Sequence, residues 1–338
     1  MKLYLKYMSK TDQDFKKIFI KKKFHLIGHR ASVYTIDRYN SPDSFITGAG
    51  DGFVVKWDIN DSEVGTVIAQ VKSNIFSLAY IPQFHRLAIG NMYGGIHWID
   101  LKTNENIKNI AHHSKGTFAL KLVGAHIYSG GGGGKFTKWN IDNCQPMETI
   151  QVTDKSIRSI DYSEIRNEFA IGSSDYSIYI LDGTSFEIKR KIENAHENSV
   201  FVVRYSGDGN NLMSGGRDAH LKVWDLKNDF ENISTQPAHW FTINDIAFQP
   251  SGNYFATASR DKHIKVWDAY NFHIVKSIDK FKLAGHKNSV NALRWINDDI
   301  FVSCSDDRTV MGWEFIENDK ETVQKLIKGR IEQIDSRM

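Results

Sequence analysis

The chain alternates apolar and polar positions in short runs, and clusters of turn-forming residues bound each run. Phe53–Trp57 and, most clearly, Ile264–Trp267 show a side-chain period of two, which a strand with two different faces requires and a helix does not produce. The bounding clusters include Gly48-Ala49-Gly50-Asp51-Gly52, Gly215-Gly216-Arg217-Asp218 and Ser303-Cys304-Ser305-Asp306-Asp307. The runs recur. Trp57-Asp58, Trp98-Ile99-Asp100, Trp139-Asn140, Ile180-Leu181-Asp182, Trp224-Asp225, Trp267-Asp268 and Trp313-Glu314 follow one another at steps of 41, 41, 41, 44, 43 and 46 residues. One four-stranded sheet of that length cannot cover both of its faces. Radial packing covers each face with the next sheet and leaves only short, protected edges. Seven copies fill residues 28–316, so the 338-residue chain reads as one closed ring and not as the two domains its length allows.

A histidine stands 28 residues before the tryptophan in three copies (His29, His196, His239) and 27 before it in a fourth (His286). Gly28-His29 and Gly285-His286 are matched pairs, with Ala195-His196 and Ala238-His239 as near variants. A Gly-His pair, an apolar strand, a Ser/Thr strand, a turn aspartate and a Trp-Asp ending, repeated in register over about residues 28–316, resembles the WD40 repeat. The resemblance implies an all-β fold, a seven-bladed β-propeller of four-stranded antiparallel blades closed by an N-terminal strand. Residues 15–25 resemble Ile274–Ile278, which precedes Gly285-His286, and are expected to be that strand. Lys16, Lys17, Lys21, Lys22 and Lys23 then guard an exposed edge. The expected division is an N-terminal extension (1–14), the propeller (15–316) and a C-terminal tail (317–338). In the tail, Val323, Leu326, Ile327, Ile331 and Ile334 have the spacing of an amphipathic helix, while Val323–Ile327 is an alternative outer strand for the last blade. Either Met1 or Met8 can serve as the start.

Four sets of residues keep fixed spacing: His29, Thr47, Asp51, Trp57; His196, Ser214, Asp218, Trp224; His239, Thr257, Asp261, Trp267; and His286, Ser303, Asp307, Trp313. A lone Ser/His/Asp set on an exposed turn would suggest a nucleophilic triad. Here the hydroxyl lies inside a strand, Thr replaces Ser freely, and the set occurs four times. The resemblance implies a structural hydrogen-bond chain from aspartate to histidine to hydroxyl to indole, which satisfies polar groups buried between strands. The second, third and fourth copies depart from it, with Ala88, Met92 and Trp98, then His112, Ser129, Gly133 and Trp139, then Ala170, Ser174 and Ile180 at the matching positions. Gly130 to Gly134 read as a mobile turn of five glycines, and Lys135 after them lacks the context of a phosphate loop.

Composition narrows the function. Lys+Arg 43 against Asp+Glu 40 is too balanced for a dedicated nucleic-acid binder, and two cysteines exclude a disulfide framework. No apolar stretch approaches a membrane span, and a reducing, cytoplasmic setting is the expectation. His112 and His113 are expected to diverge and not to bind metal, with the tetrad-like role falling to His112; Cys304 reads as a small buried residue. Neither metal nor cofactor is expected. The resemblance places Tyr34, Phe76, Ala119, Arg158, Phe201, Asn244 and Asn291 at the mouth of the ring, on the face that commonly binds proteins or peptides. Trp240 and Phe241 follow His239 where the other copies have Arg30-Ala31, Glu197-Asn198 and Lys287-Asn288, and so look like interface anchors. The expected function is a non-catalytic protein-interaction scaffold, a single ring within a larger complex. The alternatives are a nucleic-acid or chromatin reader using the lysines or a methyl-lysine cage of Tyr34, Phe76 and Phe201, and an enzyme using the axial mouth.

Overall fold

The computed structural model describes residues 17–61 and 65–318. Its strands form seven four-stranded antiparallel sheets in a ring. The first six blades take β2–β5 (residues 33–70), β6–β9 (75–111), β10–β13 (115–151), β14–β17 (157–192), β18–β21 (200–237) and β22–β25 (243–278). The only helix among the described residues is a single turn, α1 (Lys280–Leu283), capped by the Asp279 side chain.

The seventh blade carries the closure. β26 (Val290–Trp295), β27 (Ile300–Ser305) and β28 (Thr309–Asn318) are completed on the outer edge by β1 (Lys17–Ile27). Pairing runs from Lys17 opposite Asn318 to Ile27 opposite Thr309, with a bulge at Lys23. The N-terminal segment is therefore the closing strand, and the edge for which Val323–Ile327 was the alternative is taken. Glu317 and Asn318, assigned from sequence to the tail, belong to β28. The expected tail helix over 319–338 and the extension 1–14 lie outside the described residues.

Each junction between blades holds its own apolar core. Ile46, Val54, Ile75, Leu87 and Ile89 join blades 1 and 2, while Phe24, Leu26, Val33, Phe45, Val302 and Val310 join blade 7 to blade 1. That last cluster spans the two ends of the chain, so the ring is fastened by burial as well as by the ladder. Carboxylates add polar stitches along the inner strands. Asp37, Asp161 and Asp245 accept from the backbone N–H of Tyr80, Tyr205 and Leu293 on the following blade at 2.9, 2.9 and 3.0 Å.

Glycines in the second strand of a blade allow this close stacking. A Cβ on Gly48 would lie 2.6 Å from Ile75 Cγ2, and one on Gly130 would lie 2.4 Å from Ile157 Cγ2. This corrects the five-glycine turn: Gly130 to Gly132 are in β11 (His126–Gly132), and only Gly133 and Gly134, with φ of +86° and +72°, form the turn.

Candidate functional site

Four blades contain the complete polar chain. In blade 6, Trp267 Nε1 donates to Thr257 Oγ1 at 2.9 Å, Thr257 Oγ1 bonds His239 Nε2 at 2.8 Å, and His239 Nδ1 meets Asp261 Oδ2 at 2.9 Å. The carboxylate can only accept, so Nδ1 carries the proton and the hydroxyl donates to Nε2. Blades 1, 5 and 7 repeat this arrangement with His29, Thr47, Asp51 and Trp57, with His196, Ser214, Asp218 and Trp224, and with His286, Ser303, Asp307 and Trp313. Each aspartate also accepts from the backbone of the residue after the histidine (Arg30, Glu197, Trp240, Lys287), which pins that loop. Burial holds His29, His196 and His239 below the ordinary imidazole value despite the aspartates beside them. Burial alone would raise Asp218, but the His196 hydrogen bond and charge bring it down to about 2. The hydroxyls are fully buried, which fits an internal brace and not an exposed nucleophile.

The ladders correct the remaining blades. In blade 2, Asp100 aligns with Asp58, so the residue equivalent to Trp57 is Ile99; Trp98 lies one position away and faces the opposite side of the sheet. Its indole is buried, packs 6.1 Å from the Trp139 ring and has no hydrogen-bond partner among the described residues. The tetrad positions of blade 2 are Val71, Ile89, Tyr93 and Ile99, not Ala88, Met92 and Trp98; buried Val71, Ile89 and Ile99 replace the polar chain, and Tyr93 is exposed. Blade 4 is displaced in the same way. Its positions are Thr153, Ile171, Asp175 and Leu181, not Ala170, Ser174 and Ile180, and Thr153 Oγ1 donates to Asp175 Oδ2 at 2.7 Å. Blade 3 keeps Ser129 and Trp139, but the histidine is His113, whose Nε2 meets Ser129 Oγ at 2.9 Å; His112 instead bonds Thr137. The two rings are in edge contact at 5.0 Å and do not diverge.

The mouth of the ring is built by a repeated bulge. Every innermost strand slips register by one residue near its start, as between Val33 and Thr35 or Ile243 and Asp245. The extra residues are Tyr34, Phe76, Phe118, Arg158, Phe201, Asn244 and Asn291, and all line an axial cavity of about 570 Å³. β10 (Lys115–Val123) carries a second bulge at Gly116, and Phe118, five residues after His113 as Tyr34 is after His29, holds the place expected for Ala119. The five-residue step from histidine, kept by Phe201, Asn244 and Asn291, signals it once His113 and not His112 is the histidine counted from.

The aromatic residues, offered as an alternative methyl-lysine cage, are engaged with neighbours inside the protein. Tyr34 packs edge-on against Phe76 at 5.3 Å and Phe76 stacks on Phe118 at 5.7 Å, while Phe201 faces a cation already present. The Arg158 guanidinium lies 4.3 Å from the Phe118 ring centre and 5.2 Å from that of Phe201. The Asn244 amide donates to Val290 O at 2.8 Å and the Asn291 amide to Val33 O at 2.9 Å, so both are engaged across blade boundaries. Deeper in the cavity, Lys121 pairs with Asp161, Arg204 with Asp245 and Arg294 with Asp37. Burial raises Asp161, and Lys121 and Arg204 more than offset it; for Asp245 burial prevails and the carboxyl stays above its usual value. On the face of the histidine loops, Trp240 and Phe241 are 82% and 59% exposed. Of the lysines on β1, Lys21 pairs with Glu314 at 2.7 Å and Lys22 bonds Ala284 O at 2.5 Å.

A ring of seven antiparallel blades, braced in four of them by this histidine–aspartate–hydroxyl–indole chain, defines a β-propeller of the WD-repeat class. The model of the WD domain, G-beta repeat (WD40), matches residues 20–58, 188–225, 230–268 and 277–314, so four of the blades are recognised as WD40 repeats. It is similar to the solved WD40 β-propeller domain of Doa1, with a TM-score of 0.77 and 17% identity, covering 89% of this chain and 97% of that one. Curated relatives include Protein SPA1-RELATED 4 of Arabidopsis thaliana, 26% identical over 45% of this chain and 19% of its own length. The 26S proteasome regulatory subunit RPN14 of Saccharomyces cerevisiae is 26% identical over 38% of this chain and 33% of its own. WD repeat-containing protein 1 of Mus musculus is 23% identical over 58% of this chain and 34% of its own. The matched parts thus span between a fifth and a third of those relatives.

Proposed function

We propose that this propeller is a non-catalytic scaffold that binds partner proteins or peptides on the face carrying the histidine loops. One observation carries the reading. Trp240 and Phe241 are exposed side by side on a loop whose backbone is fixed by the Trp240 N–H to Asp261 bond at 3.0 Å. Two large aromatic groups held on a rigid loop lose little entropy on binding and offer the kind of anchor that interface hot spots favour. Tyr34, Phe76, Phe118, Arg158 and Phe201 extend this surface at the axial mouth, with Asn244 and Asn291 holding its far side. A relative named as a proteasome regulatory subunit supports membership of an assembly as a role for such a ring.

The partner contact is the proposed role of these residues, and a single ring in a reducing, cytoplasmic setting is the form in which it acts. Cys144 and Cys304 are free and buried, and no helix among the described residues is long and apolar enough to cross a membrane. Nucleic-acid reading is less favoured because two of the closing-strand lysines are engaged within the protein. Affinity purification with quantitative mass spectrometry tests the reading by comparing the wild type, Trp240→Ala/Phe241→Ala and Tyr270→Ala, an exposed aromatic in the turn after Asp268. Selective loss of partners in the double variant is the expected result; the same partners at the same yield from all three would refute it.

A further inference from the structure

Blade 3 lacks one member of its polar chain, and the gap has the chemistry of a binding site. Gly133 occupies the position held by Asp51, Asp218, Asp261 and Asp307, as the ladder opposite Gly130 and Phe136 fixes by comparison with Gly48 and Val54. His113, Ser129 and Trp139 remain in place around it. Trp139 Nε1 donates to Ser129 Oγ, the hydroxyl donates to His113 Nε2, and so Nδ1 carries a proton. In the four intact blades that Nδ1–H meets a carboxylate at 2.9–3.1 Å. In blade 3 it has no partner among the described residues, although His113 is 96% buried, being 4% exposed. A buried donor left unpaired keeps its full desolvation cost until an acceptor reaches it.

We propose that this notch binds a carboxylate, supplied by an Asp or Glu side chain of a bound protein or peptide that takes the place of the missing aspartate. The notch has a volume of about 240 Å³ and is lined by His112, His113, Ser114, Gly132, Gly133 and Lys135. In the intact blades the carboxylate also accepts from the backbone N–H after the histidine and from the N–H two residues beyond itself; the matching positions here are Ser114 and Lys135. The Ser114 hydroxyl lies 2.5 Å from where a Gly133 Cβ would be, at the rim of the vacancy. The exposed Lys135 supplies the charge that a carboxylate needs, and its ammonium already disfavours protonation of both His112 and His113. The unpaired donor selects an acceptor, the small size of the notch selects a compact one, and the lysine selects an anion. The site itself stands on this geometry, whereas a partner chain as the source of the carboxylate rests on the scaffold reading.

The test is histidine side-chain NMR on uniformly labelled protein titrated with sodium acetate against sodium chloride at matched ionic strength. Acetate is expected to shift His113 Nδ1 at millimolar concentration while His29, His196, His239 and His286 stay unmoved. Lys135→Gln, on the surface, should weaken that response several-fold with the fold intact. Gly133→Asp with Ser114→Gly, which puts a carboxylate on a residue whose φ of +86° must relax to the negative φ of Asp218, should abolish it and make His113 resemble His196. A His113 indifferent to acetate, or a response undiminished in both variants, overturns the site. A second arm uses a short neutral peptide with one central Glu and its Gln counterpart. A shift at lower concentration with Glu than with acetate, and none with Gln, supports a partner side chain. Acetate binding without any gain from the Glu peptide overturns that source and leaves the scaffold reading untouched.

Discussion

Asp261→Ala is the sharpest probe of the polar chain. The substitution removes three hydrogen bonds, from His239 Nδ1 at 2.9 Å, Trp240 N at 3.0 Å and His263 N at 2.9 Å, together with a 3.3 Å contact to His263 Nδ1. The His239 side chain is fully buried, so its Nδ1–H cannot turn to water. Hydrogen bonds to a charged acceptor contribute about 1.5–3 kcal/mol each, and an orphaned buried donor costs about 1–3 kcal/mol. Because the two backbone amides sit near solvent and regain water, the net loss comes to about 3–5 kcal/mol. Unfolding entropy of about 2.1 cal/mol/K per residue over 338 residues converts this to a fall of roughly 4–7 °C in Tm. Calorimetry and urea unfolding measure it against Asp142→Ala, an exposed carboxylate expected to change stability by less than about 0.5 kcal/mol. A loss below about 1 kcal/mol for Asp261→Ala would refute the bracing role. Unchanged melting with abolished activity or binding would assign the residue to function instead.

Three further outcomes follow from the same structure. Phe24 lies against Gly312 and in the core that joins blade 7 to blade 1, so Phe24→Ala should cost about 3–5 kcal/mol by chemical denaturation, and removal of residues 1–24 should abolish cooperative folding; tolerance of either contradicts closure by β1. Amide hydrogen exchange should be faster at Gly133 and Gly134, where no carboxylate ties the turn, than at Asp218 and Ala219, and equal protection would contradict this. Buried histidines set the acid response. Burial, with His112 and Lys135 beside it, lowers His113 to about 3, and His29, His196 and His239 are also lowered, so the folded ring binds fewer protons than the unfolded chain. That stability is complete above the unfolded value of 6.5 and is lost as pH falls toward the folded values, with Asp218 contributing further between 3.8 and about 2. At about 1.4 kcal/mol per pH unit, His113 alone removes about 3 kcal/mol by pH 4. Melting temperatures from pH 8 to 4 should be level and then decline below about 6.5, and a flat profile would contradict the buried neutral state.

The repeat was legible because its signals are local: alternation, turn glycines, and His–Thr–Asp–Trp spacings such as His239 to Trp267. It misled where one tryptophan was taken as an anchor. Trp98 falls at the right distance from Trp57 and Trp139, yet Asp100 sets the register, and a slip of one residue reverses every side chain in a strand. Blade 4 failed for the same reason at Ile180, which hid Asp175. Phe118 and His113 were missed together, because nothing in the His112-His113 pair marks which ring reaches Ser129, and only a count from His113 leads to Phe118. The contact of Arg158 with Phe118 and Phe201 depends on strands from separate blades, so spacing along the chain could not show that the cage position is filled.

The proposed partner contact runs through the aromatic groups on the histidine-loop face of the ring. The equilibrium dissociation constant for the most enriched purified partner, measured by calorimetry for the wild type and for Trp240→Ala/Phe241→Ala, tests it most directly. Loss of a hot-spot pair at about 2 kcal/mol or more predicts affinity weaker by roughly 30-fold or greater, with Tm unchanged because both side chains are exposed. Equal affinity in the two proteins would contradict the account.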